Sequence, residues 1–458
     1  MQHHLVRRAI IKLAPALFVL LLVLSACSTA AGTGGTTATP LPTVTQSASN
    51  GVTPAPTNTA LPAQVDTCPR LIGYPKTGTY CYTPHQLRVA YGAESLYERG
   101  FTGKGQAVVD IVSYGSPTLR QDMQVFDAQF HLPPVNLQIL APLGTVPFNP
   151  NDQAMLGWAG ETSLDVQIIH AIAPDAAIVV LTSPVDETEG TIGLPQFLQL
   201  EQYALAHHLG NIVSQSWVAS EVTLNDSAGR QEIAQWDAFY KQATTQGGMT
   251  FFSGSGDNGA TDYGNLQATK LSPVATTTFA PDDPWVTAVG GTSLIRQGSS
   301  TSEVAWNMSG GGFSQFFSMP AYQKLLPASV QTLLKGRRGV PDVAADADPL
   351  TGLVFYEAGI WRLAGGTSAS TPLWAGLMAI ADQMAGRGLG FINAALYKLA
   401  MSNRYALDFH DITQGNNSIH VQGVNVPGYA ATRGWDPITG LGSPDAEKLL
   451  PDLVAALK

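Results

Sequence analysis

From about residue 68 onward, short apolar runs alternate with longer stretches whose apolar positions recur at helical spacing. The runs AVVDIVSYG from Ala107, AAIVVLTS from Ala176, NIVSQSW from Asn211, MTFFSGSG from Met249 and WVTAVGG from Trp285 read as strands. The stretches TSLDVQIIHAIA from Thr162, LPQFLQLEQYALAHH from Leu194, QEIAQWDAFYKQATTQ from Gln231 and STPLWAGLMAIADQM from Ser370 read as helices. Buried strands alternating with amphipathic helices predict an α/β fold: a doubly wound, mostly parallel sheet with helices on both faces. Ligands of such folds bind beyond the carboxyl ends of the strands.

The first residues follow a different pattern. Arg7, Arg8 and Lys12 lead into the apolar run LAPALFVLLLVL, which ends in Leu24-Ser25-Ala26-Cys27. A charged start followed by a run too short to span a bilayer comfortably reads as a secretory signal. The final tetrapeptide is similar to the lipobox of bacterial lipoproteins, in which the Cys thiol is diacylated; an ordinary signal peptide is the other reading. Ser28 to Gln64 is almost all Ser, Thr, Ala, Gly and Pro without a charge, which cannot bury enough apolar surface to fold. The expected organisation is a signal over 1–26, a disordered tether over 27–66 and one folded domain over 67–458. The protein is then extracytoplasmic, held to a bacterial cell membrane through a lipid on Cys27 or shed from it.

Charge and cysteine content narrow the picture. Twenty-four Lys and Arg against 34 Asp and Glu leave a net charge of −10, which disfavours a nucleic-acid partner because phosphates need cations. Of three cysteines, Cys68 and Cys81 bracket a short Pro/Gly-containing loop. In an oxidising compartment this spacing allows a local disulfide; two free thiols is the alternative.

Candidate chemistry begins at Gly365-Gly366-Thr367-Ser368-Ala369-Ser370-Thr371-Pro372, just before a helical pattern. Ser368 would sit near a helix N-terminus, with Pro372 in the first turn, where the dipole favours developing negative charge. A loop that merely caps a helix reads equally well. A serine nucleophile needs a base, and no His-Gly-Thr-His segment supplies one; His170 reads as a half-buried helix residue. Glu161 and Asp165, four apart at the start of the expected helix, share one face. They could share a proton and act as a base and its orienting partner, or simply complement the helix dipole. Asp257, in the small-residue loop SGSGDNG after a strand, could be a turn former, a calcium ligand or a protonated donor to an oxyanion.

Taken together and in order, these segments resemble the sedolisin family of serine-carboxyl peptidases. Further matching segments are YTPHQLRVAYG at Tyr82, the HAIAP run at His170, PWVTAVGGTS at Pro284, GGGFS at Gly310, MPAYQ at Met319 and GVPDVAADADP at Gly339. The resemblance implies a subtilisin-like fold and peptide hydrolysis in acid, with Ser368 as nucleophile, Glu161 as base, Asp165 as its partner and Asp257 at the oxyanion. It also implies one structural Ca²⁺, held by the Asp411 and Asp436 side chains and the carbonyls of Ile412, Thr432 and Gly434. Thr432 stands where the family has Gly, which puts a glycine-only backbone angle in question. Family members carry a long folded prosegment, whereas here the tether runs almost directly into the domain. The expected partners are protein or peptide substrates and the membrane, with a monomeric state. Two other readings compete: a catalytically silent, tethered binding protein, and a His-dependent subtilisin-like protease.

Overall fold

The computed structural model describes residues 64–75, 77–298, 300–421 and 423–458. The expected signal, Cys27 and all of the expected tether before Gln64 lie outside the described residues. Gln64 and Asp66, at the end of that expected tether, are already engaged. Arg88 Nη2 donates to Gln64 Oε1 over 3.2 Å, and Asp66 Oδ1 lies 2.7 Å from His85 Nδ1. Cys68 and Cys81 form a disulfide, with Cα atoms 6.3 Å apart. Closing a loop of this length contributes about 3 kcal/mol by restricting the unfolded chain. Among the described residues no helix is long and apolar enough to cross a membrane.

The core element is one large sheet. In chain order its strands are β1 (Ala107–Ser113), β2 (Asn136–Leu140), β3 (Ala177–Ser183), β4 (Ile212–Gln215), β5 (Thr250–Gly254), β6 (Thr287–Gln297), β7 (Ser300–Ala305) and β8 (Val343–Asp346). Their spatial order is β8-β6-β5-β4-β1-β3-β2, all parallel, with β7 antiparallel on β6. From β1 the chain goes to the edge strand β2 and then fills the gap between them with β3. It then returns to the other side of β1 with β4, so the order reverses at β1 and leaves a crevice there.

Both faces of the sheet are covered, as the apolar runs predict. In β1, Val108 and Val112 join one core and Val109 and Ile111 the other, following the period of two. The first core holds helices α1 (Leu119–Phe130), α2 (Gln153–Ile172) and α5 (Thr367–Ala385). The second holds α3 (Leu194–Ala206) and α4 (Ser227–Thr245).

Two helix boundaries differ from expectation. Helix α2 starts at Gln153, because Asp152 caps it by accepting from Ala154 N and Met155 N. Glu161 and Asp165 therefore sit in mid-helix, where a dipole role does not apply. Helix α5 starts at Thr367, so Pro372 is its sixth residue rather than part of the first turn. Pro372 cannot donate to the Ser368 carbonyl. Ser216 Oγ lies 3.4 Å from that carbonyl.

Candidate active site

Helices α2 and α5 run side by side in the same sense. At Gly376 a Cβ would stand 2.8 Å from Ile172 Cβ, so only glycine permits this approach. The same contact brings the N-terminal part of α5, with Ser368, to the middle of α2, with Glu161. The Ser368 hydroxyl lies close enough to the Glu161 carboxylate to stabilise its charge, and Glu161 Oε1 is buried without a partner. Ser368 itself is half-exposed at the second position of α5, where amide N–H groups have no partner inside the helix.

Behind Glu161 lies a buried string of carboxyls. Ser216 Oγ, just past the end of β4, donates to Asp165 Oδ1 over 2.8 Å. Asp165 Oδ2 and both oxygens of Asp110 are buried and receive no N–H or hydroxyl among the described residues; the Asp110 and Asp165 carboxyls hydrogen-bond each other, which takes a proton on one of them. Asp110 lies on β1, on the same face as Val108 and Val112, and so points toward α2. Three carboxyls this close and this dry cannot all be ionised. Burial, with the neighbouring Glu161 charge, pushes Asp110 up to about 8. Burial pushes Glu161 up to about 7, and burial with the charges of Asp110 and Glu161 raises Asp165 well above the ordinary carboxyl range. They titrate as one coupled unit.

The sequence reading missed Asp110 and Ser216. The only available signal for Asp110 was an acid in the middle of an otherwise apolar strand, AVVDIVS. A buried Asp is rare enough to question.

Linkage gives this cluster a measurable signature. A carboxyl raised in the fold leaves stability intact below its unfolded value, about pH 4. That stability is lost as pH climbs to the folded value, which for Asp110 is about 8. Wild-type Tm is therefore expected to be highest in acid and to fall from about pH 4 to pH 8. Asp110→Asn is expected to make that fall shallower by about 1.4 kcal/mol per pH unit. Identical slopes for the two proteins would mean that Asp110 is ionised in the fold.

Asp257 follows β5. Its Oδ1 accepts from Thr367 N over 2.7 Å and from Thr367 Oγ1 over 2.9 Å, while Thr367 Oγ1 accepts from Gly256 N. These bonds stitch the β5 loop to the start of α5. Asp257 is open to the cleft yet ringed by protein; the loss of bulk water raises its pKa, and the two Thr367 bonds hold it back. Asp257 Oδ2 is turned to Gly366, where a Cβ would come within 2.4 Å of it.

Ser368, Thr367, Asp257 and Ser216 all line one cleft with a cavity of about 190 Å³, shared with Trp217, Glu189 and Asp262. Among the described residues no histidine lines it. His170 is fully buried rather than half-buried, with Nε2 3.0 Å from the Pro133 carbonyl and 3.1 Å from Asp127 Oδ1.

The expected calcium residues lie elsewhere. Asp411 Oδ1 accepts from Gly434 N and Tyr405 Oη, both over 2.9 Å. Asp436 Oδ2 accepts from Thr432 N and Thr439 Oγ1, and its Oδ1 from Ile438 N and Thr439 N. Both carboxylates thus converge on the 432–436 loop, and no donor among the described residues reaches Asp411 Oδ2. Among the described residues no group of three or more His, Cys, Asp and Glu side chains gathers as a metal site. An all-oxygen set of two carboxylates and backbone carbonyls nevertheless suits a hard cation. Thr432 does not have a positive φ, so the departure from Gly causes no strain there.

The chain is similar to several known proteins. Kumamolisin of Bacillus sp. (strain MN-32) is 33% identical over 386 residues, covering 81% of this chain and 64% of that one. Sedolisin of Pseudomonas sp. (strain 101) is 31% identical over 383 residues, covering 80% and 60%. A solved structure of Pseudomonas sedolisin, a serine-carboxyl proteinase complexed with two molecules of pseudo-iodotyrostatin, superposes with a TM-score of 0.68 at 28% identity. It covers 81% of this chain and 98% of that one. The chain belongs to the sedolisin family. Human tripeptidyl-peptidase 1 is a further relative, 31% identical over 325 residues, covering 65% of this chain and 52% of that one. The chain spans about three-fifths of the length of the first two of these relatives. No protein-family model matches it. Membership accounts for the mostly parallel sheet with helices on both faces, which is the subtilisin-like α/β fold.

Proposed function

We propose that this protein is a serine-carboxyl endopeptidase that hydrolyses peptide bonds in acid through an acyl-enzyme. The observation that carries this reading is the placement of the Ser368 hydroxyl against Glu161, with Asp165 and Asp110 behind and, among the described residues, no imidazole lining the cleft.

In the reaction, Ser368 Oγ attacks the peptide carbonyl and its proton passes to Glu161. Asp165, kept protonated by burial and by its acidic neighbours, holds Glu161 in place and spreads its charge. The oxyanion forms at the open N-terminus of α5. There Asp257, when protonated, donates from one oxygen together with a backbone N–H. Glu161 then protonates the departing amine, and water releases the acyl group by the same steps in reverse order of roles. Acid is required because Asp257 ionised has no proton to give.

The test is a pH–rate profile on a denatured protein substrate. The expected result is hydrolysis in acid that fades toward alkali. Best activity in alkali would overturn the reading.

Calcium is proposed as a structural ion held by Asp411, Asp436 and the carbonyls of Ile412, Thr432 and Gly434, where it would tie the 432–436 loop to residue 411. Treatment with a chelator is expected to lower Tm measurably, and Asp436→Asn to abolish that response. An unchanged Tm would remove the ion from the account.

The Cys68–Cys81 disulfide supports an oxidising, extracytoplasmic compartment. Attachment through a lipid on Cys27 is proposed on the residues Leu24 to Cys27. Metabolic labelling with a radioactive fatty acid, lost in Cys27→Ser, tests it.

A further inference from the structure

The cleft beside Ser368 carries acidic groups that the proposed chemistry does not use. Glu189 and Asp262 line it and are 5% and 3% exposed. Each spends one oxygen on the protein. Glu189 Oε2 accepts from Ser220 N and Thr223 Oγ1, both over 2.9 Å. Asp262 Oδ1 accepts from Tyr263 N over 2.7 Å and Asn258 Nδ2 over 2.9 Å. No donor among the described residues reaches Glu189 Oε1 or Asp262 Oδ2, and the latter faces Gly256, another lining residue. Behind them stands Glu187, nine-tenths buried, with Oε1 unpartnered and its pKa raised by burial and by the charges of Glu189, Asp186 and Asp262.

Among the described residues no lysine or arginine lines the cavity, and none of the ion pairs involves these three acids. Buried carboxylates left without a cation are costly. A volume of about 190 Å³ is small for a cofactor but suits a single long side chain. Trp217 and Val218 offer an apolar wall for its stem.

We propose that this cavity receives the lysine or arginine side chain of the residue that contributes the scissile carbonyl, with its cation bound by Glu189 and Asp262. The assignment rests on the peptidase reading above and names the substrate class of that site. An incoming cation meets groups that burial has pushed up to about 7 at Glu189 and about 6 at Asp262. Glu187 stands beside both, Asp257 faces Asp262, and Asp186 faces Glu187. A cation favours the ionised forms, so discrimination for it grows as pH rises within the working range.

The experiment compares two otherwise identical peptides with arginine or its neutral isostere citrulline at that position. Wild type is expected to favour arginine by about tenfold or more in kcat/KM, with the ratio larger at pH 6 than at pH 4. Glu189→Gln keeps an acceptor for Ser220 and Thr223, and Asp262→Asn keeps one for Tyr263. Each is expected to lower the arginine rate while leaving the citrulline rate in place. Equal wild-type rates on the two peptides would overturn the proposal without any variant having to fold, and so would variants that slow both peptides alike. If neither peptide nor a denatured protein is cleaved, the peptidase reading itself falls.

Discussion

Glu161→Gln is expected to lower kcat on a denatured protein by about 10⁴-fold while leaving the fold and KM nearly unchanged. Gln has nearly the shape of Glu but cannot take the Ser368 proton. Gln keeps an oxygen that can accept from the Ser368 hydroxyl, so that contact survives the exchange. Ser368→Ala is expected to cost a similar factor. The double variant should be no worse than either single one, because the two groups act as a unit. Removing one acid from the buried string also relieves burial of charge, so Glu161→Gln should raise Tm at neutral pH. Initial rates at saturating substrate, with thermal unfolding of each variant, check all of this. His85→Ala and His207→Ala are expected to keep wild-type rates. Full turnover in Glu161→Gln, or loss in the histidine variants, would move the base from a carboxyl to an imidazole.

Gly366→Ala is expected to be nearly as damaging for a different reason. Gly366 has φ +82° and ψ 165°, a region that L-residues with a side chain essentially do not occupy. Its added Cβ would stand 2.4 Å from Asp257 Oδ2. Backbone strain and overpacking together are expected to cost about 3 kcal/mol of stability. Displacing Asp257 from the oxyanion position is expected to cost about 10²-fold in kcat on top of that. Gly248→Ala is the control: its φ of +68° is also positive, but nothing lies within 4 Å of the added carbon. It should lose only about 1 kcal/mol and keep its activity. Denaturant titration and kcat on the two variants separate strain from clash. Equal effects would mean that the Asp257 contact is unimportant.

The strand and helix types were legible because they are short-range properties. The apolar runs from Ala107, Ala176, Asn211 and Met249 became β1, β3, β4 and β5, starting within one residue and ending within two. The Gly-rich loops before Ser368 and around Asp257 also marked a helix start and a strand end where the structure has them. Helix α2 was read nine residues short, because its first turns, QAMLGWAGE, hold apolar residues without a clear polar face. The Asp152 cap was the missed sign.

What the sequence alone determined was the set of local conformations and the reactive side chains available: a serine at a helix start, two acids one turn apart, and an acid after a strand. Only the tertiary structure decided which groups those side chains would face. Asp110 lies 55 residues before Asp165, and Ser216 is 51 residues after it; Glu189 and Asp262 come from separate loops. Such partners meet because the sheet order reverses at β1 and Gly376 lets two helices close. Neither event leaves a periodic trace in the chain, since each depends on packing between segments that are distant in sequence.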